Sequence, residues 1–87
     1  MTQTQQDSGT TDATEIYPGV TVNPRVMGGT PVLAGTRIPV GVIVGHLAAG
    51  DAFETVMTEY RISDTQVRAA LGYAAHLVTS EEVYVSA

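Results

Sequence analysis

Two groups of residues in this chain have the types that chemistry uses. The stretch "GGTPVLAGTR", residues 28–37, sets three glycines around a lone arginine in the manner of a phosphate loop. Further on, His46, His76, Asp51, Glu54, Ser63 and Asp64 offer titratable or hydroxyl groups. A Walker loop needs GxxxxGK[ST], because its backbone N–H groups cradle phosphates while the lysine meets their charge. Here five residues separate Gly29 from Gly35 and the chain has no lysine. The dinucleotide pattern GxGxxG is also missing, so the stretch reads as a turn. Arg37 is expected to clamp hairpin to helices by donating to backbone carbonyls or to an acid such as Glu59, with an interface role as the competing reading.

The two histidines have no partner at metal-ligand or HExxH spacing, and no GxSxG elbow marks a nucleophile. Asp51 with Glu54, and Ser63 with Gln66, have the spacing of helix-capping boxes, which accounts for them without catalysis. Both histidines are therefore expected to be structural, and the chain is expected to be no enzyme, with no metal and no cofactor.

The elements that would hold these residues follow from periodicity. Residues 1–15 are polar and are expected to form a disordered arm, with order beginning near Ile16. "IYPGVTVNP" reads as a short strand confined by Pro18 and Pro24 to an edge or to a position between breaks. The Gly28–Gly29 pair predicts a β-hairpin over residues 25–34. "PVGVIVGHLAAG" predicts a helix from Pro39 to Gly50, its valines making strand the competing reading. Gly41, Gly45 and Ala49 recur every four residues on it as a smooth stripe, open to close approach by another backbone. A second helix follows with Phe53, Val56, Met57 and Tyr60 on one face. A third carries Val67, Ala70, Leu71, Ala74, Leu77 and Val78. "RIS" between them has the length of a helix-turn-helix connection. Residues 79–87, "TSEEVYVSA", read as a strand-prone segment beyond the last helix. The fold class is mainly α with a short β-hairpin, a three-helix helix-turn-helix bundle of homeodomain-like or winged type spanning residues 16–78.

Composition limits the partners. A chain of 87 residues without cysteine has one small core and no disulfide to reinforce it, so self-association into a homodimer is expected, through the hairpin or through Gly41, Gly45 and Ala49. Asp7, Asp12, Glu15, Glu81 and Glu82 carry the whole net charge of −5, while Arg25, Arg37, Arg61 and Arg68 balance four acids between them. The middle is neutral, without the basic excess that drives nucleic-acid binding. If the third helix nevertheless read DNA, Thr65, Gln66 and Arg68 would face the bases and Arg61 a phosphate; three-helix packing as scaffold competes with that role. No signal peptide and no membrane span are recognised, and a cytoplasmic location is expected.

Residues 23–77 resemble the domain-of-unknown-function 433 family, which includes VapB-like antitoxins. "GGTPVLAGTRIPV", then a helix ending "AAG", then "EY" and "ALGYAAHL" carry the likeness. The resemblance implies a hairpin followed by a helix-turn-helix bundle, with Gly28 and Gly29 making the turn, Gly35 and Thr36 shaping its exit, and Arg37 with Pro39 opening the first helix. It also implies an antitoxin that neutralises a PIN-like ribonuclease toxin and autorepresses its operator; a stand-alone transcriptional regulator is the alternative. On this reading Glu81, Glu82, Val83, Tyr84 and Val85 add a strand to the toxin, or to a second protomer.

Overall fold

The computed structural model describes residues 12–85, with side chains through Ser80. Three strands, β1 (Thr14–Tyr17), β2 (Val20–Val22) and β3 (Val32–Leu33), form an antiparallel sheet in the order β1-β2-β3. Three helices follow, α1 (Val40–Ala48), α2 (Phe53–Tyr60) and α3 (Asp64–Val85). The molecule is mostly helical with a small sheet, the expected class, but its hairpin lies elsewhere.

The tight hairpin joins β1 to β2 through Pro18-Gly19, not Gly28-Gly29. Tyr17 pairs with Val20, and the Glu15 carboxylate accepts the Gly19 N–H at 2.9 Å, closing the turn. Gly19 has φ +86°, where a side chain is strained. "VTV" is consequently the central strand, at a position between breaks rather than at an edge, since the two prolines lie just outside its paired residues. Thr14 and Glu15, expected in the disordered arm, belong to β1, and Asp12 pairs with Arg25 at 3.0 Å. Residues 1–11 of that arm lie outside the described residues.

Gly28 and Gly29 instead sit in a 3₁₀ turn, Met27–Gly29, within the connection from β2 to β3. Met27, Gly28 and Gly29 all have positive φ, which curls the chain and leaves no strand on either side of a two-residue loop. Asn23 begins this connection: its Oδ1 accepts from the Arg25 N–H at 2.8 Å and its backbone carbonyl from Val26 at 2.8 Å. Such an Asx turn offers the backbone an alternative to the ladder.

The turn after β3 is built on Thr36, whose hydroxyl donates to the Leu33 carbonyl at 2.8 Å and accepts the Ile38 N–H at 3.0 Å. Leu33 N–H returns to the Ile38 carbonyl and Val40 N–H to the Pro31 carbonyl, so β3 hands the chain to α1 in a fixed direction. Pro39, extended at φ −65° and ψ 138°, caps α1 from just outside it.

One core joins sheet and helices: Val20 and Leu33 from the strands, Val40 and Ile43 from α1, Val56 from α2, Ile62, and Val67 and Ala70 from α3. The β1–β2 turn presses directly on α3. A Cβ on Gly19 would stand 2.9 Å from the Ala69 Cβ, and one on Gly72 would meet the Tyr17 hydroxyl at 2.7 Å. The Tyr17 ring also packs on Tyr73, with centroids 5.9 Å apart, and on His76 at 5.6 Å.

The segment after Val78 is helical, not a strand: α3 runs unbroken to Val85. No glycine or proline follows Gly72 in it, and an established helix adds one hydrogen bond per further residue fixed, which outweighs the β propensity of Val83, Tyr84 and Val85. No break in secondary structure falls at residue 78.

Gly19→Ala combines positive-φ strain with a clash against α3 and should destabilise the domain by about 2–4 kcal/mol. Gly35→Ala, with φ +78° and open space at its Cβ, should cost only the strain, about 1–2 kcal/mol. Urea titration of the two variants checks the difference.

Candidate functional site

The closest set of chemically competent side chains is one that sequence spacing did not indicate. α1 ends in a Schellman motif: Gly50, at φ +103°, donates to the Leu47 carbonyl at 3.0 Å and Asp51 to the His46 carbonyl at 3.0 Å. That wrap lays Asp51 over His46, where the motif usually places an apolar contact. Asp51 Oδ2 lies 2.7 Å from His46 Nδ1, and His46 Nε2 lies 2.9 Å from the Tyr60 hydroxyl on α2. A carboxylate only accepts, so Nδ1 carries a proton and, in the neutral ring, Nε2 accepts from the Tyr60 O–H. The rings meet edge to face at 5.4 Å.

Asp51 therefore does not cap α2. The cap position is Ala52, which makes no side-chain hydrogen bond, and the expected box with Glu54 does not form. His46, expected to be structural and without a partner at motif spacing, has two hydrogen-bond partners. The readable signal is His-x₃-Gly-Asp at a helix end, since a glycine C′ residue folds the next residue back toward the turn four positions before it.

The box expected at α3 is present: Gln66 N–H reaches Ser63 Oγ at 3.2 Å, and Ser63 N–H reaches Gln66 Oε1 at 2.8 Å. Among the DNA-reading candidates this engages Gln66 in its own helix. Arg68 donates from Nε to Asp64 at 2.8 Å, and its guanidinium lies 5.7 Å from the Phe53 ring centroid. Thr65 and Arg61 are exposed. Arg61 also has a backbone task, because it ends α2 in the left-handed region at φ 57°, where Ile62 N–H returns to the Met57 carbonyl at 3.0 Å. The four candidates thus lie along the connection and first turns of α3, two of them already satisfied within the protein.

Arg37 is exposed and, among the described residues, its side chain makes no hydrogen bond to a backbone carbonyl or to Glu59. It stands on the rim of a cup of about 410 Å³ with Thr21, Asn23, Val32 and Thr36, so the expected clamp is absent. The turn it follows is already fixed by Thr36.

The other open surface is apolar. Pro31, Val40, Gly41, Val44, Gly45, Tyr73, Ala74 and Leu77 line a groove of about 460 Å³ between α1 and α3. Gly41, Gly45 and Ala49 are exposed, with nothing within 4 Å of either glycine's missing Cβ. The apolar stripe of α3 is buried only at its start: Val67 and Ala70 are inaccessible, whereas Leu77 is 47% and Val78 54% exposed. Glu81, Glu82, Val83, Tyr84 and Val85 continue the same helix, and their side chains lie outside the described residues. No group of three or more His, Asp or Glu side chains with metal-binding geometry occurs among the described residues. No helix among them is long and apolar enough to cross a membrane.

A family model described as "Protein of unknown function (DUF433)" matches residues 20–74. An uncharacterized protein, y4eO of Sinorhizobium fredii (strain NBRC 101917 / NGR234), is 39% identical over 56 residues, which are 63% of this chain and 25% of that one. The X-ray crystal structure of Rv2018 from Mycobacterium tuberculosis superposes with a TM-score of 0.55 at 36% identity, over 60% of this chain and 24% of that one. The chain spans about a quarter of the length of both relatives.

Arg61 holds a left-handed conformation that glycine adopts without a Cβ penalty. Arg61→Gly should therefore stabilise the domain by about 1 kcal/mol, seen as a Tm rise of about 4–8 °C in a thermal melt.

Proposed function

From the premise that the chain belongs to the DUF433 family, we propose that it is the antitoxin of a type II toxin–antitoxin pair, a binding module that neutralises a PIN-like ribonuclease. The observation that carries this reading is the exposed half of α3. A helix of 22 residues is about 33 Å long, well beyond the core it packs on. Leu77 and Val78 hold apolar surface in water at its outer half, beside the groove floored by Gly41 and Gly45. An amphipathic helix and an open apolar groove are a recurrent means of gripping a partner protein.

Charge supports the same choice of occupant. Glu81 and Glu82 follow Leu77 and Val78 on α3, and an acidic helix end complements the cationic surface with which a ribonuclease holds RNA. In place of the β-strand addition expected from sequence, the C-terminal segment would act as a helix. A helix also changes the effect of truncation after Val78, which removes about two turns of α3 rather than a loose tail.

Operator binding is the less favoured role. Gln66 and Arg68 would have to leave the capping box and the Asp64 pair before reaching bases, and Asp64 itself opposes the phosphate backbone. Autorepression of the operon, if it occurs, would depend on Thr65 and Arg61.

Calorimetric titration of the full chain against a PIN-like nuclease encoded beside it tests the proposal. Binding is expected, and Leu77→Asp with Val78→Asp should weaken it at least tenfold, about 1.4 kcal/mol, while leaving Tm nearly unchanged because both residues are exposed. Unaltered affinity in the double variant would remove α3 from the interface; light scattering run in parallel identifies a homodimer as the occupant if the variant becomes monomeric instead.

A further inference from the structure

We propose that Tyr60 is a nucleophilic acceptor site for a neutral, activated acyl donor, with His46 as its proton acceptor and Asp51 as the residue that positions His46. This proposal does not rest on the antitoxin reading, although the concavity beside His46 shares Gly41 and Gly45 with the groove along α3.

Three observations carry it. The order carboxylate, imidazole, hydroxyl is complete at 2.7 Å and 2.9 Å, both within the reach required for a base and its nucleophile. The proton assignment is forced from the carboxylate end: Asp51 accepts from Nδ1–H, which leaves the Nε2 lone pair directed at the Tyr60 O–H. The group is also partly accessible: the His46 and Asp51 side chains are 33% and 40% exposed, and Tyr60 is half-buried. His46 forms one wall of a shallow concavity of about 380 Å³ whose other walls are Gly41, Val42, Gly45 and Ala49.

The surroundings of the relay set the class of donor. The concavity meets the relay through His46 and is not lined by Tyr60; its other walls are small and uncharged, and no arginine lines it. With Asp51 beside the imidazole, an anionic phosphoryl donor would meet negative charge without a cation to offset it. A neutral acyl compound, an aryl ester or a thioester, meets no such barrier. In the reaction Tyr60 Oη attacks the carbonyl carbon while its proton passes to His46 Nε2. The new O–acyl bond forms, the bond from the carbonyl carbon to the leaving oxygen or sulfur breaks, and the proton is handed to that leaving group. Asp51 holds the imidazole in the required tautomer throughout and steadies the imidazolium that forms. The acylated Tyr60 loses the O–H that ties α2 to α1.

The four tyrosines of the chain, Tyr17, Tyr60, Tyr73 and Tyr84, provide an internal comparison. The full-length protein is treated with benzenesulfonyl fluoride, a neutral electrophile that leaves a stable tyrosyl sulfonate with loss of fluoride, and the rate at each tyrosine is read by peptide mass spectrometry. Tyr60 is expected to react at least tenfold faster than each of the others. His46→Gln should lower the Tyr60 rate at least tenfold without changing the rates at Tyr17 and Tyr73, which report on the fold through their packing between β1 and α3. Asp51→Asn, which keeps an acceptor but removes the charge, should give a Tyr60 rate between those of His46→Gln and the unsubstituted protein. A Tyr60 rate no greater than those of the other tyrosines in the unsubstituted protein overturns the proposal, however the variants fold. So does a fast Tyr60 rate that His46→Gln leaves unchanged.

Discussion

The approach of the β1–β2 turn to α3 is the constraint on which the rest of this structure depends. Gly19 and Ala69 come together at a distance that leaves no room for a further methyl group, and the Tyr17 ring lies across Gly72 one helical turn away. Two glycines on opposite elements thus each admit a side chain of the other closely, Gly19 the Ala69 methyl group and Gly72 the Tyr17 ring. This contact orients β2 so that Val20 enters the core with Val67 and Ala70, and β3 follows because Val20 pairs with Leu33. β3 in turn fixes the start of α1 through the hydrogen bonds of Leu33 and Val40. The small domain has few buried residues, and this sequence of contacts makes each of them depend on the last.

Helix endings govern where the chemically interesting groups lie. Gly50 and Arg61 both take the left-handed region, one at no steric penalty and the other with strain, and both turn the chain sharply into the next element. At Arg61 the returning residue is Ile62, which enters the core against the helix it leaves. At Gly50 the returning residue is Asp51, and a polar contact with His46 replaces the apolar one. The same backbone device therefore closes the core in one place and assembles a hydrogen-bonded relay in the other. Two members of the relay, His46 and Tyr60, stand on helices, and the third, Asp51, is held by the hydrogen-bonded turn that closes α1.

α3 divides into two parts with different work. Its first turns are satisfied internally: Ser63 and Gln66 cap each other, and Arg68 is held between Asp64 and Phe53. Its outer half is the reverse, with Leu77 and Val78 facing water beside a smooth groove. A side chain already paired must lose a contact before it gains one, whereas an exposed apolar side chain gains by being covered. This difference is what supports the proposed protein partner along the outer half of α3.

Much of this was fixed by local order in the amino-acid sequence. The three helices, the capping box of Ser63 and Gln66, the stop at Gly50 and the strand "VTV" follow from periodicity and from residues with narrow conformational preferences, and these interactions span only a few positions. The family likeness was equally legible in "GGTPVLAGTRIPV". Tertiary structure decided the rest. Whether Gly19 or Gly28-Gly29 formed the tight hairpin depended on which turn could seat against α3, a contact made about fifty positions along the chain. Asp51 had the spacing of a cap and became the partner of His46, because the Schellman turn and Tyr60 together offered it more than the open end of α2. Val83, Tyr84 and Val85 had strand propensity but lie at the end of a long helix, where extending an existing hydrogen-bond ladder outweighs a weak local preference.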